Sequence, residues 1–341
     1  MIRSGKAIPR RSFLKAAAAG GALSLAGVRA ARAQSTPKVI FIEPSDYALE
    51  FIKEMNGVAG GHFKAQGIDV EIITARGTSI ALQQVIAGQA HVVRVGGLDL
   101  MRGNAVQPVP IVSAATSLHE GIFSMVSLKT SPITKPSDLK GKTVGVGSLG
   151  GGQENVLNLL LTEAGIPAAD VPRQAIGVSA GSIELLKKGR IDAYYVTVEA
   201  GLSLRRANEP VEIWNTAKLA AVPGGAIVFR RDYTEANPET MTKFARGLYA
   251  SAAELLSADP AMILDRVEKK YDLAVDKSRD FRLQALKSYN EMSLSMGREN
   301  LLRNVPEVWR KAADLASRAG LVKVANADAL YTNKFIDLAR G

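Results

Sequence analysis

Few residues in this chain are of a type and spacing that could do chemistry. The glycines of Gly145-x-Gly147-x-x-Gly150 follow a β-branched run and open a helical pattern. With that spacing, a strand-to-helix turn lets backbone approach a pyrophosphate. The fingerprint also needs an acid at the end of the next strand, about twenty residues on, to hold a ribose hydroxyl. Here that strand, at about 174–178, ends in Val178-Ser179-Ala180-Gly181, and Asp170 lies before it. A nicotinamide-dependent oxidoreductase is therefore kept as the enzyme-class alternative. No Lys-Ser or Lys-Thr follows the glycines, which excludes the nucleotide phosphate loop. Cysteine is absent, and with it thiol catalysis, Cys-ligated zinc, disulfides and lipid attachment at a signal-peptide cysteine. His62, His91 and His119 stand far apart with no His-x-x-x-His spacing, so they read as surface or satisfied core. No Ser-His-Asp order and no carboxylate pair at a recognisable spacing offers another catalyst. Neither enzymatic activity, a metal centre nor a cofactor is expected.

Three strand-to-helix junctions suit binding better. They are Pro44-Ser45-Asp46-Tyr47, Gly77-Thr78-Ser79 and Gly147-Ser148-Leu149-Gly150-Gly151-Gly152-Gln153. Small and hydroxyl residues make tight turns anywhere. In an open α/β sheet, however, ligands bind at the carboxyl ends of strands, where helix N-termini present free N–H groups and positive dipole ends. Asp46 reads first as a helix cap, the commonest role for an aspartate after a strand.

The elements that must position these junctions form a regular alternation. Short β-branched runs recur at 38–42, 69–73, 91–95, 109–113, 122–127, 143–146, 192–198 and 226–229. Helical patterns sit between most of them: Ala81, Leu82, Val85 and Ile86 share one face, as do Leu157, Leu160, Leu161 and Ala164. The rhythm predicts α/β sheets of mostly parallel strands. It stops at Asn237-Pro238-Glu239-Thr240, which reads as an N-cap with proline in the first turn. Nearly everything beyond reads as helix, and Met241, Phe244, Ala245, Leu248, Tyr249, Ala252 and Leu256 form a core stripe.

The first 33 residues carry a different signal. Arg10-Arg11-Ser12-Phe13-Leu14-Lys15, a weakly apolar stretch over 16–28 and the small-x-small site Ala31-Arg32-Ala33 are the three parts of a twin-arginine export signal. Cleavage would start the mature chain near Gln34. The segment holds seven Lys or Arg and no acid, so its loss takes the formal net charge from +10 to +3. That balance gives no case for nucleic acid or an anionic membrane. No later apolar run approaches the ~20 residues that span a bilayer.

Gly61-His62-Phe63-Lys64-Ala65-Gln66-Gly67-Ile68-Asp69-Val70-Glu71 resembles a segment of the substrate-binding proteins of ABC importers for nitrate, sulfonates, taurine and thiamine-pyrimidine precursors. The stretches 81–92, 138–146, 188–193 and 237–240 fit the same pattern in the same order, so the resemblance covers roughly 38–260. It implies a type II periplasmic binding fold, two α/β lobes joined by a two-crossing hinge, with a helical C-terminal region. Lobe 1 would comprise 34–116 plus 220–341 and lobe 2 would comprise 117–219, with crossings near 114–117 and 218–222. The resemblance implies a pocket lined by Ser45, Asp46, Tyr47, Thr78, Ser79, Gly96, Gly97, Ser148, Gly150, Gly151, Gly152, Gln153, Tyr195 and Glu199. Arg76 and Arg94 are weaker candidates, and Arg94 is the more notable because it interrupts the apolar run Val92-Val93-Arg94-Val95. The implied function is that of a monomeric periplasmic receptor that closes on a small sulfonate, carboxylate or heteroaromatic ligand and hands it to a membrane permease. Desulfinase and pyrimidine-synthase relatives depend on cysteines this chain lacks. A sensing role beside a membrane kinase is the non-transport alternative.

Overall fold

The computed structural model describes residues 36–341 except 107–109, 178–179, 218, 220 and 275. The export signal expected over 1–33 lies outside the described residues.

Among the described residues ten strands form two five-stranded sheets. The first contains β1 (Lys38–Glu43), β2 (Asp69–Thr74), β3 (Val92–Val95), β4 (Ile111–Leu118) and β10 (Gly225–Arg230), in the order β2-β1-β3-β10-β4. The second contains β5 (Ser124–Leu128), β6 (Val144–Val146), β7 (Arg173–Ala175), β8 (Ala193–Val196) and β9 (Val211–Asn215), in the order β7-β6-β8-β5-β9. Through the first three strands run helices α1 (Ile52–Ala59), α2 (His62–Ala65) and α3 (Thr78–Ile86), with α4 (Gly97–Val106) after β3. The second sheet carries α5 (Gly152–Glu163), α6 (Ile183–Lys187) and α7 (Val198–Arg206). After β10 the chain is helical: α8 (Arg231–Ala236), α9 (Pro238–Leu255), α10 (Pro260–Glu268), α11 (Arg279–Leu294), α12 (Pro306–Arg318) and α13 (Lys334–Arg340).

The sheets are mixed, not mostly parallel. β1 runs parallel to β2 and β3, and β6 runs parallel to β7 and β8, but β10 and β5 run against both of their neighbours. Crossing geometry explains the reversal. The chain leaves each sheet at its carboxyl edge and enters the other sheet at the same edge, so the first strand after a crossing must run away from it. The outward crossing is at 119–123, between β4 and β5, and residues 114–117 lie inside β4. The strand β9, with its alternating Val211-Glu212-Ile213-Trp214, is an element the sequence reading passed over.

β4 is buried along its whole length although it ends the sheet order. The C-terminal region covers its free edge: Thr116 pairs with Leu302 and Ser113 with Tyr331. Asn304 secures this closure, its Oδ1 accepting from Ser113 Oγ at 2.7 Å and Thr116 Oγ1 at 2.9 Å, while its backbone N–H donates to Asn333 Oδ1 at 2.8 Å. Covering an edge in this way removes the template for pairing with another chain.

Behind the first sheet, the stripe of α9 buries Met241, Phe244, Leu248 and Ala252. Phe244 stacks on Phe63 at 5.2 Å and meets Phe229 edge-on at 5.3 Å. Gly57 and Gly247 make the slot for Phe63: a Cβ on either would stand about 2.5 Å from its ring. Complete burial of such a ring contributes ~1.5–3 kcal/mol. Helix α12 buries Trp309, Ala312, Leu315 and Ala316. It packs on both α4 and α5, and Arg318 and Lys311 reach Glu163 of α5 at 3.0 and 3.3 Å.

Helices α1, α9 and α10 are tied by Glu254, which lies 2.8 Å from Arg266 Nη1, 2.9 Å from Asn56 Nδ2 and 2.8 Å from His62 Nε2. Burial pushes this carboxyl up, but hydrogen bonds from Arg266, Asn56 and His62 outweigh it and bring it down to about 2. A depressed carboxyl adds stability above its ordinary value of 4.5 and loses it as pH falls through about 2. Glu254→Gln is therefore expected to flatten the acid-unfolding profile between those two pH values. A slope identical to that of the parent would refute this assignment.

Candidate functional site

A cavity of about 860 Å³ opens between the facing edges of the two sheets. Its walls come from the ends of β2, β3 and β6 and from both crossings: Thr78, Gly96 and Ser148 line it, as do Gly121 to Phe123 and Val222 to Gly224. Helices α3, α4 and α5 all begin at this cavity.

Their N-termini are not equivalent. At α4 the first donors are already engaged: Gly97 N donates to Pro223 O at 2.8 Å, and Gly96 N–H bonds to the Asp99 carboxylate. Burial nevertheless raises Asp99, against the pull of Arg102 and of that backbone bond. At α5 the loop caps itself in part, since Gly147 N donates to Gln153 Oε1 at 2.6 Å and Gly150 N to Glu154 Oε2. The first-turn amides of α5 and α3 lack intrahelical partners, as at any helix start. In α3 the first intrahelical bond runs from Ala81 N to Gly77 O, at 3.1 Å. Gly77, at φ 119°, turns the chain into α3 in a conformation that a residue with Cβ rarely adopts. Arg76 beside it also lines the cavity, and among the described residues it makes no ion pair or side-chain hydrogen bond.

The inner wall is charged. Arg94, 4% exposed, pairs with Glu50 at 2.9 Å and lies 4.1 Å over the ring of Phe51; all three line the cavity. Around them sit Glu43, Lys53 and Glu54, completely buried, and none of their charged atoms has a hydrogen-bond partner. Burial drives Glu43 well up, aided by Glu54 and opposed by Arg94. Burial likewise raises Glu54 against the pull of Arg94 and Lys53, and lowers Lys53 to about 8. Arg94 is thus the cation on which this group of carboxyls depends.

Of the residues expected at a site, the fold brings Thr78, Ser79, Gly96, Gly97, Ser148, Gly150, Gly151 and Gly152 to this cavity, together with Arg76 and Arg94. Pro44 is the part of the first junction that reaches it. Ser45 and Asp46 are exposed elsewhere. Asp46 caps no helix, because the turn that follows begins at Ala48. Tyr47 points along the sheet, with its hydroxyl donating to Ile72 O at 3.2 Å and its ring 4.9 Å from that of Tyr271. Gln153 is buried, holding Gly147 and reaching Tyr195 O at 3.5 Å. Tyr195 is itself completely buried on β8, and burial pushes its hydroxyl far up. Glu199 turns away and accepts 2.8 Å bonds from Tyr289 of α11 on both oxygens. Burial raises its carboxyl more than the Tyr289 bond lowers it. The histidines serve the scaffold: His91 Nδ1 accepts from Ile40 N at 2.9 Å, and His119 Nε2 lies 2.8 Å from Asn300 O.

A family model described as NMT1/THI5 like matches residues 50–262, more than half of the chain. The chain belongs to the NMT1/THI5-like family. The matched region begins at Glu50, takes in the Arg94 wall, both crossings and β5 to β10, and ends in α10. A riboflavin-binding protein, RibY of Chloroflexus aurantiacus, is 21% identical over 310 residues, which is 84% of this chain and 83% of that one. The aliphatic sulphonate-binding protein SsuA of Escherichia coli is a structural neighbour with a TM-score of 0.68 at 15% identity, covering 89% of this chain and 99% of that one. The nitrate-binding protein NrtA of Synechocystis PCC 6803 gives a TM-score of 0.63 at 12% identity, covering 89% and 88%. The fold is therefore that of type II periplasmic binding proteins, two α/β lobes with a helical C-terminal region. Among the described residues no helix is long and apolar enough to cross a membrane, and no group of acids and histidines could hold a metal ion.

The cavity also takes its lining from residues with no local periodic signal, chiefly Ile122 and Phe123 on the outward crossing and Val222 and Pro223 on the return. Crossings have no period to read. Their signal was Pro223-Gly224 and the lone Gly121, turn residues flanking predicted strands.

Proposed function

We propose that this chain is an exported solute-binding receptor that captures a small organic ligand between its lobes and delivers it to an ABC importer permease. The observation that carries the reading is the cavity between two sheets at which α3 and α5 begin, lined also by Arg76, which makes no ion pair among the described residues. Such a place favours a carboxylate or sulfonate. An open cleft admits the ligand, and closure follows because the closed form binds it better. The first sheet with the C-terminal helices would form one lobe and the second sheet with α5 to α7 the other, with the hinge at the two crossings. Export through the twin-arginine signal to the periplasm, cleavage near Gln34 and action as a monomer without cofactor complete the proposal.

The oxidoreductase alternative loses its main support. A Cβ on Gly145 would stand 2.4 Å from Ile176 and 2.9 Å from Tyr194, so strand packing accounts for that glycine, and Gln153 occupies the Gly147 amide. A sensor-kinase partner differs from a permease in what reads closure, not in the cleft.

Thermal unfolding of residues 34–341 tests the receptor reading against sulfonates, carboxylates, pyrimidines, riboflavin, nitrate and NAD(P). A ligand at 100 times its Kd is expected to stabilise by ~2.7 kcal/mol, which raises the midpoint by at least a degree. A shift with NAD(P) alone would replace the receptor by an oxidoreductase.

A further inference from the structure

Resting on the receptor reading, we infer that the ligand is an organic anion with a large, flat apolar body, and that Phe123 selects for that body. A cavity of about 860 Å³ is on the scale that holds a drug-sized molecule; a compact ion would leave most of it to water. Beside its charged inner wall, the lining includes the apolar side chains of Phe51, Ile80, Ile122, Phe123, Val156 and Val222. Seven large hydrophobic side chains are exposed among the described residues; two of them line the cavity and a third is next to lining residues in the chain. Ile80 and Val106, 47% and 75% exposed, line the cavity, and Leu149, 62% exposed, lies between the lining residues Ser148 and Gly150. Apolar surface concentrated at a cleft marks a binding groove, whereas scattered exposed residues carry no such meaning.

Phe123 joins the two halves of the site. Its ring stands 3.8 Å from where a Cβ of Gly152 would be, so it lies against the first residue of α5, and it belongs to the crossing between the lobes. A charge held at the start of α5 therefore places the body it carries beside this ring. The sign of that charge follows from the balance of the lining. Glu50 occupies Arg94, Asp99 faces Arg102 and the Gly96 amide, and Arg76 is left without a partner among the described residues.

Calorimetric titration of the mature protein with methanesulfonate, benzenesulfonate and 2-naphthalenesulfonate, and with acetate, benzoate and 2-naphthoate, tests the inference, with 2-naphthamide as the neutral twin. Affinity is expected to rise by about 50-fold from the methyl to the naphthyl anion, the gain for roughly 100 Å² more buried apolar surface. The neutral twin is expected to bind at least tenfold more weakly than naphthoate. Phe123→Ala should weaken the naphthyl anions about tenfold and the methyl anions less than twofold, with Phe123→Leu recovering part of the loss. Circular dichroism and the unfolding midpoint would confirm that each variant is folded. Equal affinity along a series, or equal binding of the amide, overturns the inference. So does binding of nitrate or riboflavin in the wider panel while every naphthyl anion fails, and the receptor reading survives that result. Silence across both panels overturns the two together.

Discussion

Arg94→Ala is expected to destabilise the protein by about 3–5 kcal/mol, the usual consequence of removing one partner of a buried ion pair. The side chain is nearly inaccessible, pairs with Glu50 at 2.9 Å, and is the cation that opposes the upward drift of both Glu43 and Glu54. Without it, three carboxyls share a wall in which Lys53 is the remaining cation, itself lowered to about 8 by burial. The pH dependence carries a definite sign. A buried carboxyl whose folded value is raised binds a proton more tightly in the folded state, so stability falls as pH rises from its ordinary value of 4.5 through the raised one. Removing Arg94 lifts those values further, and the gap between parent and variant should be wider at pH 7 than at pH 5. Denaturant unfolding at both pH values measures it. A loss below 1 kcal/mol at pH 7, or a gap that narrows with rising pH, would contradict the assignment. Arg94→Met combined with Glu50→Leu should recover part of the stability, because an apolar pair requires no counter-charge.

Gly224→Ala is expected to cost about 3 kcal/mol and to weaken ligand binding at least tenfold. A Cβ at this position would stand 1.8 Å from Glu120 O and 2.6 Å from its carbonyl carbon, and no side-chain rotation relieves an overlap with backbone. Gly224 N also donates to Leu118 O at the end of β4 at 2.9 Å, which holds the return crossing against the start of the outward one. Pushing them apart displaces Ile122, Phe123, Val222 and Pro223, which form the cavity wall between the sheets. Gly121→Ala is the control on the facing crossing, since nothing lies within 4 Å of its Cβ position. The control should match the parent in unfolding midpoint. Equal behaviour of the two variants would show that contact between the crossings does not set the cleft.

The pieces of the fold that repeat with a period were legible. The stripe of α9, the faces of α3 and α5 and most strands stand where apolar spacing put them, because one buried face imposes its period on the residues. β9 escaped notice because its alternation is short and includes Glu212 and Trp214. Strand direction was misjudged for a different reason: an alternation of strands and helices predicts parallel pairing, but a crossing between sheets reverses the strand that follows it.

The sequence alone determined what the scaffold of this protein is. Without cysteine, thiol chemistry had no residue to use, and the order of its segments carried the family resemblance. It also located the small-residue starts of α3 and α5, since such junctions are local. Tertiary structure decided which side chains meet in the cavity. Tyr195 and Glu199 sit near the end of β8 and at the start of α7, and strand pleat and helix rotation turn them into the interior and toward Tyr289. Gln153, Glu154 and Asp99 satisfy amides that a local reading would leave to a ligand. Phe123, Val222 and Pro223 belong to segments about a hundred residues apart that become neighbours when the chain crosses twice between the sheets. Contacts of that range follow from the path of the whole chain, and no local pattern of residue types encodes them.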